Sequence, residues 1–268
     1  MRFPMNKPQN RYAALIERIF ASHYRPGKNE FPFAREELSA TALALGIKLP
    51  KNLGDVLYSF RYRVPLPESI TRTANPGMVW IIKGAGTGRY LFKQARMSRI
   101  EPDETMLAIK VPNATPEILL ANALDDEQAL LAKVRYNRLI DLFLGITAHS
   151  LQNHLRTTVK SIGQIEIDEI YVGLNRRGSQ FIVPVQAKVG RDQHGVVQTE
   201  QDLSFCLERF PNLICRPVSV HALSDNRIAM FELTLSDDQV RVIDQKHYTL
   251  VPACAISDDD LHRYSLGD

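Results

Sequence analysis

The sequence predicts an α/β protein, a mixed sheet flanked by helices, preceded by a small basic domain of short helices and one hairpin. Three observations carry this. Residues 1–100 hold 17 Lys and Arg against 6 Asp and Glu, a net of +11, whereas residues 101–268 hold 16 against 24, a net of −8. The first segment shows apolar residues at helical spacing and then a glycine-turned pair of strands. The second alternates helical stretches with apolar strand-like runs. At 268 residues the chain exceeds the usual single domain, so two domains are expected, 1–100 and 125–268, with a connector over 101–124.

In the first domain, residues 10–23 place Leu15, Ile16, Ile19 and Phe20 on one helical face. After a loop through Pro26-Gly27, residues 35–45 make a second helix, stopped by Gly46. Residues 51–63 make a third, with Leu53, Val56, Leu57 and Phe60 inward and Lys51, Asn52, Ser59, Arg61 and Arg63 outward. Strands over 78–83 and 89–94 follow, joined by Gly84-Ala-Gly-Thr-Gly88. That loop is not a nucleotide cradle, because no Lys-Ser/Thr follows it and a strand, not a helix, begins at Arg89. Trp80, the only tryptophan, is expected in the core.

Three short helices and a hairpin define a winged helix-turn-helix. In that fold the third helix enters the major groove and the wing touches the backbone, so double-stranded DNA is the expected partner. Lys51, Asn52, Ser59, Arg61 and Arg63 are the candidate groove contacts, and Arg89 and Lys93 the candidate wing contacts to phosphate. The basic charge of this half agrees with a polyanionic partner; mutual attraction of the two halves is the alternative.

The connector carries one strand, 105–111. A long helix is expected over 125–145, opened by Asp125-Asp126-Glu127 at its positive end, and a second over 148–159. Strands follow over 163–172 and 181–188, a helix over 196–210, and a strand over 215–223. Further strands are expected over 228–235, 239–244 and 247–251, and a short helix opened by Asp258-Asp259-Asp260. Cys206, Cys215 and Cys254 have no metal-ligand spacing and are expected to be reduced. No apolar run nears the ~20 residues of a membrane span, and the first eight residues lack a signal-peptide core, so a cytoplasmic location is expected.

The chemistry concentrates in two neighbouring strands. Glu166 and Asp168 share a face of the first, and Gln186 and Lys188 share a face of the second, because side chains alternate along a strand. The loop at Asn175-Arg-Arg-Gly178 suits a hairpin that brings them side by side. Phosphodiester hydrolysis needs a hard cation, and Mg²⁺ takes a few carboxylate or carbonyl oxygens plus waters. Asp168 supplies a carboxylate; Glu166, the Ala187 carbonyl and the Gln186 amide are the candidates to complete the site. Lys188 is placed to orient the attacking water or to stabilise charge at phosphorus. Asn137, Asp141 and Asn153 are unranked additions from the preceding helices, and Gln198 from the following one.

Over roughly residues 135–225 these features resemble the PD-(D/E)XK nuclease superfamily, in which an acid on one strand is followed by Glu-x-Lys on the next. Gln186-Ala187-Lys188 is similar to the Gln-x-Lys form of its Mrr-like, restriction-endonuclease branch. The resemblance implies a restriction-endonuclease-like sheet and Mg²⁺-dependent DNA cleavage, with Mn²⁺ as substitute, by a homodimer. A non-enzymatic DNA-binding regulator on a degenerate nuclease fold and an RNA-directed nuclease are the alternatives.

Overall fold

The helical spacing near the N-terminus does produce a helix, α1 (Ala13–His23), with Leu15, Ile16, Ile19 and Phe20 buried. The computed structural model describes residues 12–62, 64–96, 100–122, 126–160, 162–190, 195–236 and 239–266. Its contacts divide the chain into two units, Met1–Met97 with Thr158–Ile165, and Ser98–Thr157 with Glu166–Asp268.

In the first unit α1 is followed by β1 (Glu30–Ala34), α2 (Arg35–Leu45), α3 (Gly54–Tyr62), α4 (Glu68–Thr71), β2 (Met78–Gly84) and β3 (Arg89–Arg96). The strands form an antiparallel sheet in the order β1-β3-β2. β1, five residues long and containing Pro32, is a strand that the sequence does not announce. Proline is tolerated there because β1 is an edge, and Phe31 and Phe33 still alternate inward. They join Phe20, Trp80 and Phe92 in an aromatic cluster, where Trp80 also donates from Nε1 to Thr73 Oγ1 at 2.9 Å. Gly46 ends α2 in the left-handed conformation, as its position after the apolar run suggests. Gly84 serves close approach: a Cβ there would lie 1.8 Å from the Ile162 carbonyl oxygen.

The second unit contains β4 (Ala108–Pro112), α5 (Glu117–Asn122), α6 (Glu127–Tyr136), α7 (Leu139–Leu144), most of β5 (Thr147–Val159) and of β6 (Gly163–Leu174), β7 (Gln180–Lys188), α8 (Val196–Arg209), β8 (Ile214–Cys215), β9 (Val218–Ala222), β10 (Arg227–Ser236), β11 (Gln239–Val251) and α9 (Asp258–Ser265). Eight strands make one mixed sheet in the order β4-β11-β10-β9-β7-β6-β5, with β8 beside β7. β6 and β7 are antiparallel, and α8 carries the chain from β7 to the parallel β9. One face packs on α6 and α7 through Leu131, Val134, Leu139, Ile140, Tyr171, Val183, Val185 and Val220. On the other, Ala229, Phe231 and Leu233 gather with Val240 and Val196.

Several expectations are corrected. Residues 148–159, expected as a helix, form the edge strand β5. Most of this strand is exposed, so it needs no inward apolar alternation, and the sequence therefore lacks the strand signature. The long helix over 125–145 is two helices, parted where Arg138 is left-handed and Asn137 turns its amide to Thr115 Oγ1 and the Lys133 carbonyl. Position 125 itself lies outside the described residues; Asp126 is the N-cap, accepting from Ala129 N at 2.9 Å. The connector belongs with the second unit, since β4 pairs in parallel with β11 and so enters the sheet. The strands expected over 239–244 and 247–251 are the single β11, and β8 and β9 part at Arg216-Pro217.

Candidate functional site

The backbones of β6 and β7 part at the residues singled out by sequence. Their ladder runs from Leu174 opposite Gln180 to Glu169 opposite Val185 and stops there. Beyond it two side chains bridge the gap. Asp168 Oδ2 accepts from Ala187 N at 2.8 Å, and Gln186 Nε2 donates to the Glu166 carbonyl at 3.1 Å. A strand residue turns its N–H and C=O to the same flank, so the Ala187 carbonyl also faces the Asp168 side.

On the other flank β7 runs in register with β9, Gln186 beside Ser219 and Lys188 beside His221. All four are buried. Ser219 Oγ and His221 Nε2 are 2.8 Å apart. Burial, with the Lys188 ammonium nearby, pushes the His221 imidazole down to about 4, so it is neutral at pH 7.

Two residues that the sequence analysis did not select complete the cluster. Glu127, in the first turn of α6, brings Oε1 to 3.9 Å from Lys188 Nζ. Asp202, one turn from Gln198 on α8 and only 1% exposed, has its Oδ1 and Oδ2 at 3.1 and 3.3 Å from Gln186 Nε2. Burial pushes the Asp202 carboxyl up to about 8, with the Asp168 charge adding and the Gln186 hydrogen bond opposing. Asp168 is also raised, chiefly by burial, against the Lys188 charge and the Ala187 N–H. A signal for Asp202 lay in the sequence: Gln201 and Asp202 fall on the buried stripe of α8 with Val197, Phe205 and Cys206.

Glu166 enters by its main chain. Its carboxylate turns toward β5, where Arg156 is 3.2 Å away and His154 Nε2 3.5 Å. His154 takes a left-handed backbone within that strand. Asn137 is occupied by Ala114, Thr115 and Lys133, and Asp141 by Arg138 and Ala148 N, so both serve the α6–α7 junction. Asn153 accepts from Ser150, and Gln198 Oε1 accepts from Gly195 N at 3.4 Å as a helix cap.

In the first unit the third helix begins at Gly54, later than the spacing suggests. Asn52 is used to start it, accepting from Gly54 N and donating to Asp55. Lys51 and Arg89 are exposed, Ser59 and Arg61 half-buried, and Lys93 lies on the central strand between Glu30 and Ile81. Arg63 lies outside the described residues.

The oxygen donors suit a hard divalent cation: the Asp168 carboxylate, the Ala187 carbonyl and the Gln186 side-chain oxygen. Among the described residues no group of three or more His, Cys, Asp or Glu side chains forms a metal cluster. Mg²⁺ does not require one, since it is commonly held by one or two carboxylates and waters. The cysteines Cys206, Cys215 and Cys254 are free. Among the described residues no helix is long and apolar enough to cross a membrane. No family model, curated protein or solved structure matches the chain.

Proposed function

We propose that the chain is a metal-dependent phosphodiesterase acting on nucleic acid. More particularly, we read it as a restriction-type DNA endonuclease of the PD-(D/E)XK kind in its Gln-x-Lys form. The observation that carries the reading is the convergence of Asp168, Gln186, the Ala187 main chain and Lys188 where β6 and β7 part. The order α7-β5-β6-β7-α8-β8-β9, with β7 parallel to β9, supports it as the nuclease core. The order α1-β1-α2-α3-α4-β2-β3, with sheet order β1-β3-β2, supports a winged helix in the basic unit, with α3 and the β2–β3 hairpin as its DNA contacts.

Asp168 and the Ala187 carbonyl would hold Mg²⁺ or Mn²⁺, with Gln186 beside them. A bound cation supplies Lewis acidity to the scissile phosphate and lowers the pKa of a water. Asp168 is suited to this because burial without full compensation leaves its carboxylate short of positive charge. Lys188, held from behind by Glu127, is suited to orient the attacking water and to meet charge developing on the phosphoryl oxygens. Double-stranded DNA is the substrate of this reading, and cleavage of both strands calls for a homodimer.

The test is incubation of the full chain with plasmid DNA, or with RNA, in Mg²⁺, alongside Asp168→Ala and Lys188→Ala. DNA cleavage that drops by at least about 100-fold in each variant, the scale of losing one preorganised electrostatic group, supports the assignment. Cleavage retained in both removes it. Cleavage of RNA alone changes the substrate class. Binding without cleavage favours a DNA-binding regulator, a reading that the absence of a second acid at position 186 keeps in view.

A further inference from the structure

The Gln186 amide is held by its nitrogen. Nε2 lies 3.1 Å from the Glu166 carbonyl and 3.1 and 3.3 Å from the two oxygens of Asp202. A main-chain carbonyl only accepts, so turning the amide over would set oxygen against oxygen at Glu166 whatever the state of Asp202. With its nitrogen committed, Gln186 has its carbonyl oxygen left to offer, a neutral hard donor on the face of β7 that also carries Lys188.

We propose that Asp202 is a positioning residue: through the amide nitrogen it fixes Gln186 so that Oε1 is presented as an oxygen ligand to the divalent cation held at Asp168. This rests on the nuclease reading above. The acid that position 186 lacks is present one hydrogen bond behind it, on α8, as an acceptor for the amide nitrogen. An acceptor at the amide N–H raises the electron density on the amide oxygen, as second-layer partners do for metal ligands generally, and their loss typically costs about 10–100-fold in metal affinity.

The experiment is Mn²⁺ titration of the full chain, free Mn²⁺ being read by electron paramagnetic resonance. It compares wild type, Asp168→Ala, Asp202→Ala, Asp202→Asn, Gln186→Leu and the Gln186→Leu/Asp202→Asn double variant, with folding checked by circular dichroism. Asp168→Ala should lose binding, and Asp202→Ala should weaken it by about 10–100-fold. Asp202→Asn, which keeps one acceptor oxygen in place of two, should fall between. In the Gln186→Leu background Asp202→Asn should add nothing further, because its effect passes through the amide. Wild-type affinity in both Asp202 variants, while Asp168→Ala has lost binding, overturns the positioning role and leaves the metal site standing. An additive effect in the double variant overturns it too. Unchanged binding in Asp168→Ala removes the metal site and this role together. Should Asp202→Ala not fold, the Asn variant and the double variant decide.

Discussion

Two carboxylates are buried on opposite faces of the same sheet, and their burial is met in different ways. Glu169 on β6 is fully buried among α6 and β5, with Arg135 Nε at 2.8 Å and Ser150 Oγ at 2.5 Å from its Oε1. Asp202 on α8 is as deeply buried but meets a neutral amide, and Lys188 acts on it only through its field. The first carboxylate is compensated by a cation in contact and ties helix to sheet. The second keeps the cost of its burial, visible as a carboxyl pushed up to about 8. A buried acid without a contacting cation, with its carboxyl pushed up by burial beside Asp168 and Lys188, is the pattern expected of a candidate functional site.

The largest effect should come from breaking the compensated pair. Arg135→Ala strands Glu169 as a buried charge and is expected to cost about 3–5 kcal/mol in urea denaturation. Asp202→Ala removes a carboxylate that lacks a contacting cation and should cost far less. Equal losses would erase the distinction between the two faces.

Next in size is a pH effect. The unfolded chain ionises Asp202 near 3.8, whereas the folded chain keeps that proton up to about 8, so this group lowers stability as pH rises across the window. His221 works the other way: its folded value is about 4 against 6.5 unfolded, so it adds stability as pH rises between them. From about pH 4 to 6.5 the two slopes oppose each other. Above 6.5 the His221 contribution is complete, and Asp202 should lower stability by about 2 kcal/mol by pH 8. Asp202→Asn should raise the slope below 6.5 and reduce the fall above it, read as urea midpoints across pH. A fall of the same size in this variant assigns the titration to another group.

The smallest effect belongs to Glu166. Its carboxylate pairs with the well-exposed Arg156, so Glu166→Gln should change stability by no more than about 1 kcal/mol. Because the structure uses its main-chain carbonyl, Mn²⁺ affinity should also stay close to wild type. A collapse of binding in Glu166→Gln would return this carboxylate to the cation site.

Asp168, Gln186 and Lys188 were legible because strand alternation is a property of the chain itself: a period of two places co-facial residues without knowledge of anything else. Glu127 and Asp202 were not, because they come from helices, and what a helix brings to a sheet end depends on how it packs. Glu127 looked like an acid at a helix start, and it is that as well. β5 was misread for a related reason. An exposed edge strand buries too little to impose a pattern, and its leucines fell by chance at helical spacing.

The sequence by itself determined α1, α2, α3 and the hairpin of the basic unit, the β6–β7 pair and the side chains they share, because local periodicity, turn residues and charge are written along the chain. Tertiary structure decided where β6 and β7 part, which helix acids reach their ends, and that the amide of Gln186 is held by its nitrogen. Those depend on groups far apart in sequence, Gln186 with Asp202 and Lys188 with Glu127, whose meeting follows from packing helices against a sheet and from no pattern within either segment.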